Sequence, residues 1–271
     1  FMNHSIPARS FTAPKTMGLQ AIGSIGAVLA FTILGASILL RLTTTFDVDG
    51  ATVSLLPSAI EDATRLVHRL AAAGLGVLAL VAAVLCVMQR SRLPQAVKPV
   101  AWMVACTVLL AVIGPLTPGY RYHTVTITNV MAGTVLLMAC WWLRVALVSA
   151  LPKAKSMQPM VRGTMVLLVV HVGLGAAASA FAARGTHWVS FVHSGSAMLT
   201  LMLVGSIVWD RRGVDRLRIP VLFTAGLLVF QLVLGVSALW ADGRPVWLGF
   251  VHAMLSPLLA AGFVTIVASD D

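Results

Sequence analysis

Phe191-Val192-His193-Ser194-Gly195-Ser196 and Phe250-Val251-His252-Ala253-Met254 are two copies of one phrase, each set a few residues inside a long apolar run. Leu66-Val67-His68 opens an earlier apolar run in the same way. About 20 mostly apolar residues, rising about 1.5 Å each as a helix, cross the hydrocarbon of a bilayer. A histidine inside such a run is costly, so it is retained chiefly where it pairs or functions. The same phrases therefore bear on both the architecture and the chemistry of the chain.

Working outward, eight runs are long enough to span: roughly 17–40, 66–88, 99–116, 124–148, 160–183, 188–209, 219–240 and 246–268. Pro94, Pro99, Pro118, Pro152 and Pro220 fall at or near the breaks, where a missing N–H does least harm. Trp188, Trp209, Trp240 and Trp247 stand at run ends, as in an interfacial aromatic belt. The predicted fold class is an all-α integral membrane protein of eight transmembrane helices. The composition agrees: 59% of the 271 residues are hydrophobic and 10% charged, where a soluble domain carries about a quarter charged.

The net charge of +10 does not indicate nucleic acid, because the cations sit in short loops with no basic stripe and no stacking aromatics. Their distribution predicts topology instead. About two-thirds of the 19 lysines and arginines fall in one alternate set of segments, which includes Lys15, Arg90, Lys98, Arg162 and Arg211. The positive-inside rule then puts both termini on the cytoplasmic side of a bacterial membrane, or the matrix side of the mitochondrial inner membrane. Arg9 and Lys15 precede a run too long for a signal-peptide core. Cys86, Cys106 and Cys140 have no metal or redox spacing and read as small apolar packers.

With that orientation, His68, His193 and His252 each follow the outer end of an even-numbered helix by about 3 to 7 residues, and so share one level. The chain also repeats. His68 and His193 are 125 residues apart, and a similar shift carries His252 back to Asn129. The odd helices carry Ile33-Leu34-Gly35, Val112-Ile113-Gly114, Gly173-Leu174-Gly175 and Val233-Leu234-Gly235, with Phe31, Leu110, His171 and Gln231 four positions before the last glycine. The expectation is two tandem, pseudo-symmetric four-helix bundles, 1–152 and 153–271.

Bundle cores are where helical proteins hold cofactors. His193 and His252 share depth, phrase and small neighbours (Ser194, Gly195, Ser196, Ala253, Ser256) that leave room for a planar macrocycle. Imidazole suits haem iron, and two such ligands fill both axial positions to make a low-spin electron-transfer centre. The expected cofactor is one haem b in the C-terminal half. Zinc or a di-iron site would want carboxylates or a third histidine nearby, and the acids Asp47, Asp49, Glu61, Asp62 and Asp242 all fall in predicted loops. Arg65 and Arg69 flank His68 and read either as snorkelling cations or as partners of haem propionates. His123 and His187 read as solvent-facing. His171, matching Gln231, reads either as a donor near the porphyrin or as a polar contact between bundles.

This pattern resembles the haem A synthase family of cytochrome oxidase assembly proteins over nearly the whole chain. The shared features are the eight spans in two halves, a histidine near the outer end of the even helices, Gln231-Leu232-Val233-Leu234-Gly235 and the pair His68-Arg69. The resemblance implies a b-type haem held by His193 and His252, and an N-terminal half that oxidises the methyl group of haem O to the formyl of haem A. The chain departs from the family in that second respect. Asn129 stands where a further histidine is expected, Arg65 where a glutamate is, and the first outer loop, about 42–64, has no cysteine. The expected function is a haem b membrane protein used for electron transfer, or as a cytochrome subunit or assembly factor of a respiratory complex or terminal oxidase. The alternatives are an active haem A synthase and a cofactor-free structural or transport protein. A second haem, on His68 in the N-terminal half, stays open. Lipid, haem and other subunits of such a complex are the implied partners.

Overall fold

A computed structural model of the chain describes residues 14–46, 52–116, 123–148, 158–182, 187–240 and 245–268. Its elements are α1 (Pro14–Leu42), β1 (Thr44–Phe46), β2 (Thr52–Ser54), α2 (Ser58–Gln89), α3 (Val97–Ile113), α4 (His123–Ala146), α5 (Gln158–Ala182), α6 (Trp188–Arg211), α7 (Arg218–Trp240) and α8 (Val246–Val267). All eight spans are present as helices long and apolar enough to cross a membrane. The boundary expected at 152/153 lies outside the described residues, as do Asp47, Asp49, Asp242, Pro118, Pro152 and Arg9. The fold is that of an all-α integral membrane protein.

Two departures from expectation fall in the segment after α1. Part of the predicted loop is an antiparallel hairpin in which Thr44 pairs with Ser54 and Phe46 with Thr52. Also, α2 begins at Ser58 rather than near 66, because Ser58-Ala-Ile-Glu-Asp-Ala-Thr-Arg65 is helix-compatible and follows Pro57, after which a helix starts readily. Glu61 and Asp62 are thus helical, not loop, residues. His68 stands about ten residues into its helix, whereas His193 and His252 stand about five and six into theirs.

Each half closes into a ring. In the first, α1 packs on α2 and α4, and α3 packs on α2 and α4; in the second, α5 packs on α6 and α8, and α7 packs on α6 and α8. Consequently α2 and α4 face each other across one diagonal, and α6 and α8 across the other. Each half has its own apolar core: Leu19, Leu75, Met103 and Leu143 in the first, Val161, Leu168, Ile207 and Phe263 in the second. The halves meet where α4 packs on α5 and α8, and where α1 packs on α8.

In a membrane, helices associate through close packing and hydrogen bonds rather than through escape from water. Small residues accordingly mark the tight contacts. A Cβ added at Gly23 would stand 2.8 Å from the backbone of Cys140 and Arg144, so α1 and α4 approach almost main chain to main chain. Between the halves, Met131 fills the space beside Gly173, and the indole Nε1 of Trp141 donates to Thr265 Oγ1 at 2.8 Å. Two of the helices bordering the second diagonal, α6 and α7, are the least buried of the eight. Large side chains such as Phe191, Met198, Phe230 and Val233 lie exposed on them, suited to lipid.

Candidate functional site

The second diagonal brings His193 of α6 and His252 of α8 together. Their ring centroids are 6.3 Å apart and their planes are nearly perpendicular, at 83°. His171 of α5 stacks its ring on that of His193, at 4.4 Å and 14°. The helices hold these rings through two half-sites that repeat one another.

In the first half-site, Ser196, about one turn after His193, donates its hydroxyl proton to the His193 carbonyl at 2.7 Å and meets His171 Nδ1 at 2.7 Å. A serine hydroxyl has one proton to give. With that proton on the carbonyl, His171 Nδ1 must carry its own hydrogen and donate it to Ser196, which fixes the tautomer from the network. In the second half-site, Gln231 Nε2 of α7 donates to Ser256, and Ser256 lies 3.5 Å from the carbonyl of His252 as its donor. His171 to Ser196 and Gln231 to Ser256 span 25 residues each.

The glycines repeat as well. A Cβ added at Gly175 would stand 3.1 Å from Cε1 of His193, and one at Gly235 would stand 3.2 Å from Cε1 of His252. Each imidazole therefore rests on a helix backbone that only glycine leaves bare. The Nδ1 atoms of both rings are buried and make no hydrogen bond of full geometry. The backbone of His171 interacts with the His193 ring and that of Gln231 with the His252 ring, again the matched positions. A metal-binding histidine usually turns its second ring nitrogen toward such a backbone or carboxylate partner, leaving the first for the metal.

Of the residues singled out from the sequence, His193, His252, His171 and Gln231 converge. His171 does not bridge the two bundles; it works inside the second one, beside a ligand candidate. His68, Arg65 and Arg69 stand on α2 of the other bundle, and among the described residues no hydrogen bond, ion pair or ring contact joins them to the converging group. Arg65 is held by Glu61 of its own helix, its Nε 2.9 Å from the carboxylate. His187 is exposed as expected, but His123 is not solvent-facing: it is half-buried, with its ring 5.0 Å from that of Phe181 on α5.

Sequence reasoning noted Ser196 and Ser256 only as small residues. Their role was visible in the constant spacing from His171 and Gln231, a repeat that the phrase-by-phrase comparison passed over. It also missed Pro257 inside α8, which removes the helical hydrogen bond that the Ala253 carbonyl, next to His252, would accept. No protein-family model matches the chain, and no curated protein matches it.

Proposed function

We propose that the second bundle holds one haem b between His193 and His252 and that the protein serves as a membrane electron-transfer centre. The separation of the two rings carries this reading. Two imidazoles holding one metal ion between them, each by a bond of about 2 Å to a nitrogen about 1.1 Å from its ring centroid, would have centroids about 6.2 Å apart. The pair stands at 6.3 Å, from opposite corners of a four-helix ring.

The residues fit this group in chemistry as well as spacing. Both candidate ligands are imidazoles, and among the described residues no carboxylate is hydrogen-bonded to either. When bound, a bis-imidazole haem iron supplies one-electron redox chemistry without an open coordination position. The chain's own residues hold the two rings apart at iron spacing, seat them on Gly175 and Gly235, and tie the carbonyls of their helix turns to Ser196 and Ser256.

The similarity to haem A synthases in Gln231-to-Gly235 and in the eight-helix, two-half plan supports the same assignment of the second bundle. For the first bundle it supports no oxidation of a haem substituent. Asn129 stands in place of a ligand, and Glu61 is engaged by Arg65. A role as a cytochrome subunit or assembly factor of a respiratory complex is the form of this proposal that leaves the first bundle as scaffold.

The deciding experiment is an optical spectrum and haem extraction on the purified full chain, alongside His193→Ala and His252→Ala. The expected result is one protohaem per chain with a low-spin b-type spectrum, lost in either variant. A colourless wild type, or a spectrum indifferent to both substitutions, removes the proposal. Haem A or its hydroxylated precursor in the extract would move the assignment to a synthase.

A further inference from the structure

Resting on the haem reading, we propose that His171 is a positioning residue that locks the His193 imidazole plane crosswise to that of His252. An axial imidazole is free to turn about its metal–nitrogen bond unless something flanks its face. Here the face of His193 is flanked by the His171 ring, parallel within 14° at 4.4 Å, while the Gly175 backbone closes in at the Cε1 edge. His171 cannot itself turn freely. Its Nδ1–H is spent on Ser196, whose own proton is spent on the His193 carbonyl, so the residue that sets the plane is tied to the helix turn that carries the plane.

The other half-site lacks this element. Gln231 keeps the donor role toward Ser256, but an amide has no ring to lay against His252. The repeat thus separates two jobs that His171 combines: donating to the serine, which Gln231 also does, and stacking, which it does not. The outcome of the stacking is the 83° between the two ligand candidates.

Crossed planes have an electronic consequence. Each imidazole would interact by its π orbital with one of the two iron d orbitals whose lobes rise above and below the porphyrin plane. Parallel planes act on the same orbital and split the pair, whereas perpendicular planes act on one each and leave the pair nearly degenerate. A low-spin ferric centre with crossed ligands therefore gives a highly anisotropic electron paramagnetic resonance signal with one large g value, and one with parallel ligands gives a rhombic signal.

The test is the low-temperature spectrum of the oxidised, haem-loaded full chain and of two variants. His171→Gln keeps a donor for Ser196 and removes the ring; His171→Phe keeps a flat ring and removes the donor. Wild type and His171→Phe are expected to give the large-g signal, and His171→Gln to shift toward the rhombic one, each read per haem bound. A rhombic wild type, a His171→Gln spectrum superposable on wild type, or a shift in His171→Phe would each overturn the inference while leaving the haem assignment standing. If His171→Gln fails to load haem, the His171→Phe spectrum alone decides. A colourless wild type is the separate failure, that of the haem reading on which this inference rests.

Discussion

The two bundles share a plan and differ in what fills it. In the second, each odd helix offers a hydrogen-bonding side chain (His171, Gln231) and, four residues on, a glycine that seats an imidazole; each even helix offers that imidazole and then a serine. In the first, the corresponding positions on the odd helices are Phe31 and Leu110, which donate nothing. The residues after His68 and Asn129 are Ala71, Ala72, Ala132 and Gly133, with no serine among them. The glycines survive but are otherwise used: Gly35 meets the methyl end of Met254 from the opposite bundle, and nothing lies within 4 Å of a Cβ at Gly114. What this teaches is that a histidine at the right depth does not make a site. The second bundle adds a donor and a serine tied to a carbonyl, and the first, which keeps the glycines, has neither.

The largest expected effect tests that contrast at the ligands. His193→Ala or His252→Ala lowers bound haem by tenfold or more, to judge by the roughly 10–100-fold cost of disturbing even an outer partner of a metal ligand. His68→Ala leaves it unchanged, as read by pyridine haemochrome assay per chain. Loss of haem in His68→Ala would place the cofactor in the wrong bundle and dissolve the comparison.

Next comes the seat. Valine at Gly235 forces side-chain atoms to where His252 Cε1 already stands 3.2 Å from an added Cβ, and overpacking of this kind costs about 1–3 kcal/mol. Haem titration of the apoprotein is expected to show weaker binding in Gly235→Val by a corresponding factor, while Gly114→Val, with open space around it, titrates as wild type. Equal behaviour of the two variants would mean that the glycines are repeat residues without a cofactor role.

A smaller difference is expected within the second bundle. Removing the hydroxyl of Ser196 orphans the buried Nδ1–H of His171, a loss of about 1 kcal/mol or more. Ser256 has one short bond and one 3.5 Å approach, so Ser256→Ala is expected to weaken haem retention less than Ser196→Ala. Haem loss to an external acceptor, followed over time for both variants, ranks them; the reverse ranking would show that the α7–α8 half-site is the tighter one.

Much of this was legible in the chain before any coordinates. Period and length of the apolar runs carry the helices, since a bilayer admits few alternatives to a helix whose backbone bonds are internal. The repeated phrase carries His193 and His252, and the four-residue offset to glycine carries His171 and Gln231. What pattern could not supply was direction within a side-chain network. That His171 turns inward onto His193, rather than outward to the other bundle, depends on Ser196 being spent on a carbonyl. The early start of α2 was hidden because Glu61, Asp62 and Arg65 interrupt the apolar run, and hydropathy sees a loop where helix propensity continues past the membrane edge. His123 escaped for a related reason: its partner Phe181 belongs to a different helix, and nothing local announces the contact.

The smallest expected effect concerns the Glu61–Arg65 pair, which precedes His68 on α2. Glu61 and Arg65 bond across a single turn of α2, with side chains 21% and 48% exposed. Ion pairs in such positions gain little, because water screens the charges and two long side chains must be held still. Glu61→Gln is therefore expected to leave haem content, the optical spectrum and thermal stability where they are. That silence is informative, since Glu61, Arg65 and His68 recur along one face of α2 at helical spacing and would be the natural place for chemistry if the first bundle had any. A Glu61→Gln variant that altered the haem spectrum would show that the carboxylate reaches a bound macrocycle once Arg65 swings away. The first bundle would then count as a second site closed by an internal salt bridge, and no longer as a scaffold for the second.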